Sequence, residues 1–287
     1  MRILTFDIEE WFHILDNKST KTQSEWLQYE SRIFYNMEKI YGLLERNKTK
    51  ATFFILGWIA EKYPEIIRTI DQLGYEIGSH SHMHQLMYGQ KRSEIETDLR
   101  KSLDTIENII GKKIRIFRAP GFSITKENLW VFEILHKYGI NTDCSVFPAE
   151  RAHGGIPELK IEKPFLISYD GINLREFPIN VGNCLGYNFI FSGGGYFRLT
   201  PYSMIKHLSY KSDYIMSYFH PRDFDQYQPM IKDLPLFRKF KSYYGLSKSY
   251  SKLERWISEN EFIDCRTASL NISWDKVPKV NIKESLM

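Results

Sequence analysis

The sequence predicts an α/β fold: a distorted, mostly parallel (β/α) barrel of about seven strands followed by a helical appendage. Three observations carry this. Strand-like runs alternate with stretches of helical periodicity over residues 1–220. Asp7, His80, Arg118, Asp143 and His220 fall at or near the C-terminal ends of such runs, where a (β/α) barrel builds its site. An open sheet would gather them at one switch point instead. Finally, 287 residues, 43% hydrophobic with 19 Phe, 18 Tyr and 6 Trp, suffice for a thick core and an aromatic-walled cleft.

"RILTFD" is the first strand, and Ile33, Met37, Ile40 and Leu44 then recur at helical spacing. "ATFFIL" is a buried strand, and "AEKYPEIIRTIDQLG" a helix ending at Gly74. "YEIGSH" is the third strand. Ile95, Leu99, Leu103 and Ile106 mark a long helix that closes at Gly111. "IRIFRAPG", the helix "KENLWVFEILHKYG" and the strand "INTDCS" follow, before a looser stretch rich in Gly and Pro. The rhythm returns with the helix "PYSMIKHLSY" and the strand "DYIMSYFH". Residues 1–220 are therefore expected to form the barrel. Residues 221–287 are the appendage packed on it, with "FRKFKSYYGLSKSYSKLERWI" a basic, aromatic helix.

A net charge of +4 with no DNA- or RNA-binding motif gives no reason to expect a nucleic-acid partner. No run approaches the roughly 18 apolar residues of a membrane span. Asp7, Glu9 and Glu10 interrupt the apolar N-terminal run, so no signal peptide is expected and a cytoplasmic place is. The basic tail could touch the inner membrane surface. Cys144, Cys184 and Cys265 are odd in number and widely spaced, so they read as packing residues of a reduced compartment.

Three of the eight histidines crowd into "HSHMH": His80, His82 and His84. If a helix begins there, His80 and His84 share a face and His82 points away. Two histidines need a third ligand, a carboxylate from elsewhere, to hold a transition metal. His82 reads as structural. His13 reads equally as a pocket wall or a packed residue, and His153 as a loop or substrate contact. The glycines 193–195 lack a following Gly-Lys-Ser/Thr, so a close-packed turn beside the substrate is expected rather than a phosphate cradle.

"TFDIEEWFH", "HSHMH", "RAPGF" and "YFHP", in this order, resemble the motifs of the polysaccharide deacetylases (carbohydrate esterase family 4, the NodB-homology domain). The resemblance is closest to a branch whose first motif reads Asp-x-Glu and whose members accompany exopolysaccharide gene clusters. "KATFFILGWIAEKYP", "DCSVFP", "GGGYFRLTPY" and the "LPLFRKFKSYYGL" tail are similar to segments of that branch.

The resemblance implies a NodB-type barrel and a Zn²⁺, or another divalent transition metal, held by Glu9, His80 and His84. It implies Asp7 as catalytic base, Arg118 as the base's partner and His220 as general acid. Glu9 departs from the Asp of many members, and Glu10 is its possible substitute. Asp143 and Glu176 are the candidate partners of His220. Pro120, Gly194 and Tyr196 are expected near the substrate. The implied reaction removes an N-acetyl group from an amino sugar in a cell-surface glycan or its lipid- or nucleotide-linked precursor. Another amidase on this fold, a sugar N-deformylase or a ring-amide hydrolase, is the nearest alternative. A silent glycan-binding module would need neither Asp7, Arg118 nor His220.

Overall fold

Alternation along the central strands decides which side chains enter the barrel. In the computed structural model, which describes all residues except 16, 151–152, 185–186 and 287 and the side chains of 183–189, the N-terminal strands are β1 (Arg2–Ile3) and β2 (Thr5–Ile8). Phe6 and Ile8 pack outward with the helices, so Thr5 and Asp7 point inward. The next strands are β3 (Thr52–Ile55), β4 (Glu76–Ser79), β5 (Ile116–Phe117), β6 (Thr142–Asp143), β7 (Phe165–Tyr169) and β8 (Ile172–Glu176). A short antiparallel hairpin, β9 (Gly182–Cys184) with β10 (Tyr187–Phe189), precedes β11 (Ile215–Met216), and β12 (Lys279–Asn281) comes last.

The main sheet runs β12-β7-β8-β6-β5-β4-β3-β2, parallel at every step except β7 with β8. At its far edge β1 pairs in parallel with β11, and a bridge between Phe6 and Phe219 extends that edge. The parallel ring is thus β1/β2, β3, β4, β5, β6, β8 and β11. Between β8 and β11 side chains replace a ladder: Met216 N donates to Asn180 Oδ1, and the Tyr214 hydroxyl to the Pro178 carbonyl. This is the distorted barrel that the strand rhythm predicts.

Its interior is filled by Phe54, Ile116, Cys144, Phe147, Phe177, Met216 and Tyr218, all buried. Gly78 lies among them because a Cβ there would come within 2.7 Å of the Phe54 ring and 2.9 Å of Ile116.

Outside the strands lie α1 (Gln23–Trp26), α2 (Ile33–Arg46), α3 (Gly57–Lys62), α4 (Pro64–Gln72), α5 (Arg92–Ile110) and α6 (Val131–Lys137). The apolar face of α2 is buried through the predicted Ile33, Met37, Ile40 and Leu44. The single helix expected over "AEKYPEIIRTIDQLG" is two, because Pro64 cannot donate into the preceding turn and starts α4 instead. Gly111, at φ +68°, ends α5 as expected.

The remaining helices are α7 (Gly194–Leu199), α8 (Tyr202–Lys211), α9 (Leu236–Tyr243), α10 (Leu246–Ser258) and α11 (Cys265–Asn271). The tail expected as one helix breaks into α9 and α10 at Gly245, whose φ of +75° suits glycine. Trp256 of α10 is fully buried against Phe197 and Phe219, and β12 adds a strand beside β7, so the last quarter of the chain is built into the barrel wall. Helix α9 buries none of its residues and leaves Leu236, Phe237 and Phe240 exposed. Among the described residues no helix is long and apolar enough to cross a membrane.

Candidate metal centre and active site

Asp7 on β2 and Glu9 just beyond it reach the same end of the barrel, as their two-residue spacing requires. The Asp7 carboxylate is buried and its Oδ1 accepts from Arg118 Nη1 at 2.7 Å. Arg118, fully buried after β5, also donates to Thr5 Oγ1 at 2.6 Å and to the Cys144 carbonyl at 3.3 Å. The guanidinium therefore fixes the carboxylate while Asp7 Oδ2 faces the cavity, 3.9 Å from His220 Nε2.

His80 and His84 do come together, with ring centroids 5.3 Å apart, but no helix brings them. Residues 80–86 form a tight loop in which Ser81 (φ +65°) and His84 (φ +53°) take left-handed backbone, folding the chain back on itself. Asp98 of α5 holds the loop by accepting from the backbone N–H groups of His82 (2.7 Å) and Met83 (2.9 Å). The His82 ring turns away toward Glu61, with Nε2 3.2 Å from its carboxylate, in keeping with a structural role. Gly57 lies beneath this loop, where a Cβ would come within 2.5 Å of His82 Nδ1.

One donor atom each from Glu9, His80 and His84 lies within 4.8 Å of the others, and all three residues are buried. The chemistry of the set fits a cation. His80 Nδ1 lies 2.8 Å from the Arg118 carbonyl, an acceptor, so Nδ1 carries the proton and Nε2 presents its lone pair. Burial brings His80 down to about 4, leaving it neutral. Burial works against charge on Glu9, yet His84 and His220 overcome it and hold its carboxyl at about 2. Glu9 Oε2 is buried, 2.7 Å from His84 Nε2, without a well-directed hydrogen bond. A buried carboxylate oxygen aimed at an imidazole nitrogen is an arrangement that a shared cation would satisfy.

Glu10, the possible substitute for Glu9, does something else. Its carboxylate accepts from Ser31 Oγ and from the backbone N–H groups of Arg32 (2.9 Å) and Ile33 (3.0 Å), satisfying the start of α2.

His220 follows β11 and opens the turn Pro221–Phe224. Its Nδ1 lies 3.1 Å from Asp223 Oδ2, and its Nε2 lies 3.7 Å from Glu9 Oε1. Asp223 is itself clamped by Arg198, which also donates to the carbonyls of Lys241, Ser242 and Tyr244. Burial alone would lower the His220 pKa, but the charges of Glu9, Asp223 and Asp7 outweigh it and raise it to about 9.

Asp143 and Glu176, expected beside His220, are not its partners. They sit opposite one another on β6 and β8, where Asp143 binds Ser145 and Glu176 the Val146 N–H. Burial pushes both carboxyls up, Glu176 further because the charge of Asp143 adds to it. Pro120 lies beneath the wall in the turn Pro120–Phe122, and its neighbours Gly121 and Phe122 reach the cavity instead. Gly194 and Tyr196 do line it, as does His153. The glycine run is a close-packed turn: Gly194 N donates to the Tyr218 carbonyl, and a Cβ on Gly193 would come within 2.1 Å of that oxygen.

The cavity encloses about 450 Å³. Sequence reasoning did not single out Asp223, Arg198, Arg222 or Lys241. The i, i+3 spacing of "HPRD" is a local signal for Asp223, whereas nothing local marks the others. His13 is buried in the wall: its Nδ1 accepts from Glu10 N at 3.1 Å, and its ring lies 6.1 Å from that of His84, outside the three-donor cluster.

Residues 17–142 match the family model described as polysaccharide deacetylase, and 144–269 match a domain of unknown function, DUF3473. A peptidoglycan-N-acetylglucosamine deacetylase of Bacillus cereus is 31% identical over 96 residues, 33% of this chain and 35% of that protein. A chitooligosaccharide deacetylase of Azorhizobium caulinodans is 33% identical over 79 residues, 27% of this chain and 38% of that protein. The chain thus spans about a third of the length of these curated relatives. In fold it is similar to a Mycobacterium smegmatis chain assigned to the polysaccharide deacetylases, with a TM-score of 0.64 at 16% identity over 97% of this chain and 92% of the other.

Proposed function

We propose that the chain, whose residues 17–142 match the polysaccharide deacetylase model, hydrolyses the N-acetyl group of an amino sugar in a glycan or glycan precursor. One observation carries the reading. A buried carboxylate–cation pair, Asp7–Arg118, and a half-buried one, Asp223–His220, converge on the cluster Glu9, His80 and His84 within one cavity. Sugar binding alone gives no reason for a base and an acid about a cation site.

Glu9, His80 and His84 would hold a divalent transition metal, Zn²⁺ being the ion that suits two imidazoles and a carboxylate. Such an ion supplies Lewis acidity, polarising the acetamide carbonyl and making water more acidic. Asp7, held at Oδ1 by Arg118, takes the proton of the attacking water at Oδ2. His220, protonated and oriented through Nδ1 by Asp223, gives its Nε2 proton to the amine as the C–N bond breaks. Acetate and a free amino sugar leave.

Metal content measured on purified protein, with acetate and formate release followed over a panel of N-acylated glycans, tests the reading. Acetate should appear only with metal present. His84→Ala should lose both metal and turnover. Formate without acetate would replace the substrate assignment, and turnover in metal-stripped protein would end it.

The acid also sets a pH limit. His220 is needed protonated, so kcat/KM should fall as pH rises through its pKa, which the neighbouring carboxylates hold above the usual imidazole value. Asp223 is one of the charges that raise this pKa, so Asp223→Asn should move the alkaline limb to lower pH. A pH–rate profile with an unmoved limb would remove His220 from the role.

A further inference from the structure

Arg222 stands two residues after His220, in the same turn, and lines the same cavity. It is 9% exposed, and its Nη2 is buried with no hydrogen-bond partner. The adjacent carboxylate cannot serve it: Asp223 Oδ1 is held by Arg198 and Oδ2 by His220. Among the described residues no carboxylate lies within ion-pair distance of the Arg222 guanidinium. Its flank is the Tyr243 ring, whose centroid lies 5.9 Å from Cζ.

Lys241 belongs to the same wall. Its ammonium lies 5.3 Å from the ring centroids of both Tyr196 and Phe237, and it too has no carboxylate partner among the described residues. The carboxylates of the wall are all engaged, Asp7 by Arg118, Glu9 by His84 and Asp223 by Arg198. Two cations therefore face the cavity uncompensated, one of them buried. Burying an unpaired charge is unfavourable, so a buried guanidinium with an open fork implies a partner that arrives from outside. The planar fork suits a carboxylate or a phosphate, which it can bind through two parallel hydrogen bonds.

We propose that Arg222, with Lys241 at the rim, forms a subsite for an anionic substituent, carboxylate or phosphate, on the glycan that is deacetylated. The substrate class is then an acidic amino-sugar glycan. The identification of the class rests on the deacetylase reading; the anion subsite itself does not.

Three oligosaccharides of equal length test this: a neutral N-acetylglucosamine oligomer, one alternating with glucuronic acid, and one bearing phosphate on the sugar. For each, kcat/KM is measured by acetate release, and binding to the metal-loaded protein by calorimetry. At least one acidic oligomer should be preferred over the neutral one by about 10- to 100-fold, the range of a charged hydrogen-bonded contact. Which one wins separates carboxylate from phosphate. Arg222→Met should bring the acidic-to-neutral ratio close to one, and Arg222→Lys, which keeps the charge without the fork, should restore part of it. Equal binding of all three by the unmodified protein overturns the subsite. So does an unchanged ratio in a folded Arg222→Met protein, or a preference erased equally by Arg222→Met and Arg222→Lys. If no oligomer releases acetate yet the acidic ones still bind more tightly, the reaction assignment fails and the anion subsite stands.

Discussion

Asp7→Asn should cut amide hydrolysis by about 10²–10⁴-fold, the usual contribution of a positioned base, while the protein still takes up metal. The substitution keeps the side chain's size and leaves an Oδ1 that can accept from Arg118 as the carboxylate does at 2.7 Å. It removes the atom that takes the proton. Asp7 lies outside the three-donor cluster, so metal content should stay near that of the unmodified protein. A second effect follows from burial. Arg118 would keep its charge at 0% side-chain exposure without a counter-charge, and breaking a buried pair costs about 3–5 kcal/mol. The retained hydrogen bond should hold the loss to the lower part of that range, seen as a lower melting temperature. Turnover compared well below that temperature separates chemistry from stability. Normal acetate release by folded, metal-loaded Asp7→Asn protein would end the assignment of Asp7 as base.

His220→Ala should distinguish substrates by their leaving groups. An amine departs poorly unless protonated, so amide hydrolysis should fall by about 10²–10⁴-fold. An activated aryl acetate releases a phenolate that needs no proton, and its hydrolysis should fall far less. Asp7→Asn should harm both, since both need the activated water. His220 Nε2 stands 3.9 Å from Asp7 Oδ2 and 3.7 Å from Glu9 Oε1, so removing the ring also changes the charge near the site. Metal analysis of the variant is therefore part of the measurement. Equal losses on amide and aryl ester, with metal still bound, would mean that His220 packs or orients rather than donates.

The strand ends are legible in the sequence because a strand announces itself within a few residues, and alternation then says which neighbours share a face. Thr5, Asp7 and Glu9 follow that rule, and the inward set they begin carries Asp7 and Glu9 to the cavity. The histidine pair is legible as a pair but not as a geometry. Helical spacing predicts that His80 and His84 meet, and they meet through left-handed backbone at Ser81 and His84. Two different paths bring the same residues together, and periodicity cannot tell them apart. Glu10 shows the limit of residue type: it neighbours the candidate ligand Glu9 and shares its chemistry, yet the start of α2 claims it, a contact over more than 20 residues. Asp143 and Glu176 mislead for a related reason. They occupy strand positions that in register face each other, and no strand pattern reveals that His220 already has a carboxylate three residues away. Arg222 and Lys241 come from the tail beyond the last barrel strand, whose contribution to the cavity depends wholly on how it docks.

The pairing of β1 with β11, Arg2 opposite Ile215, has a consequence for how the protein comes into being. Glu9, His80 and His84 all belong to the first 84 residues, on segments whose strands β2, β3 and β4 pair in the order they are synthesised. His220, Asp223 and the Lys241 wall emerge much later, and β12, which flanks β7, later still. Contacts so distant in sequence form slowly, and a chain growing from its N-terminus cannot make them until both ends exist. The corner of Glu9, His80 and His84 is thus expected to form before the one that carries His220. The complete cavity would then exist only once the final segment has docked.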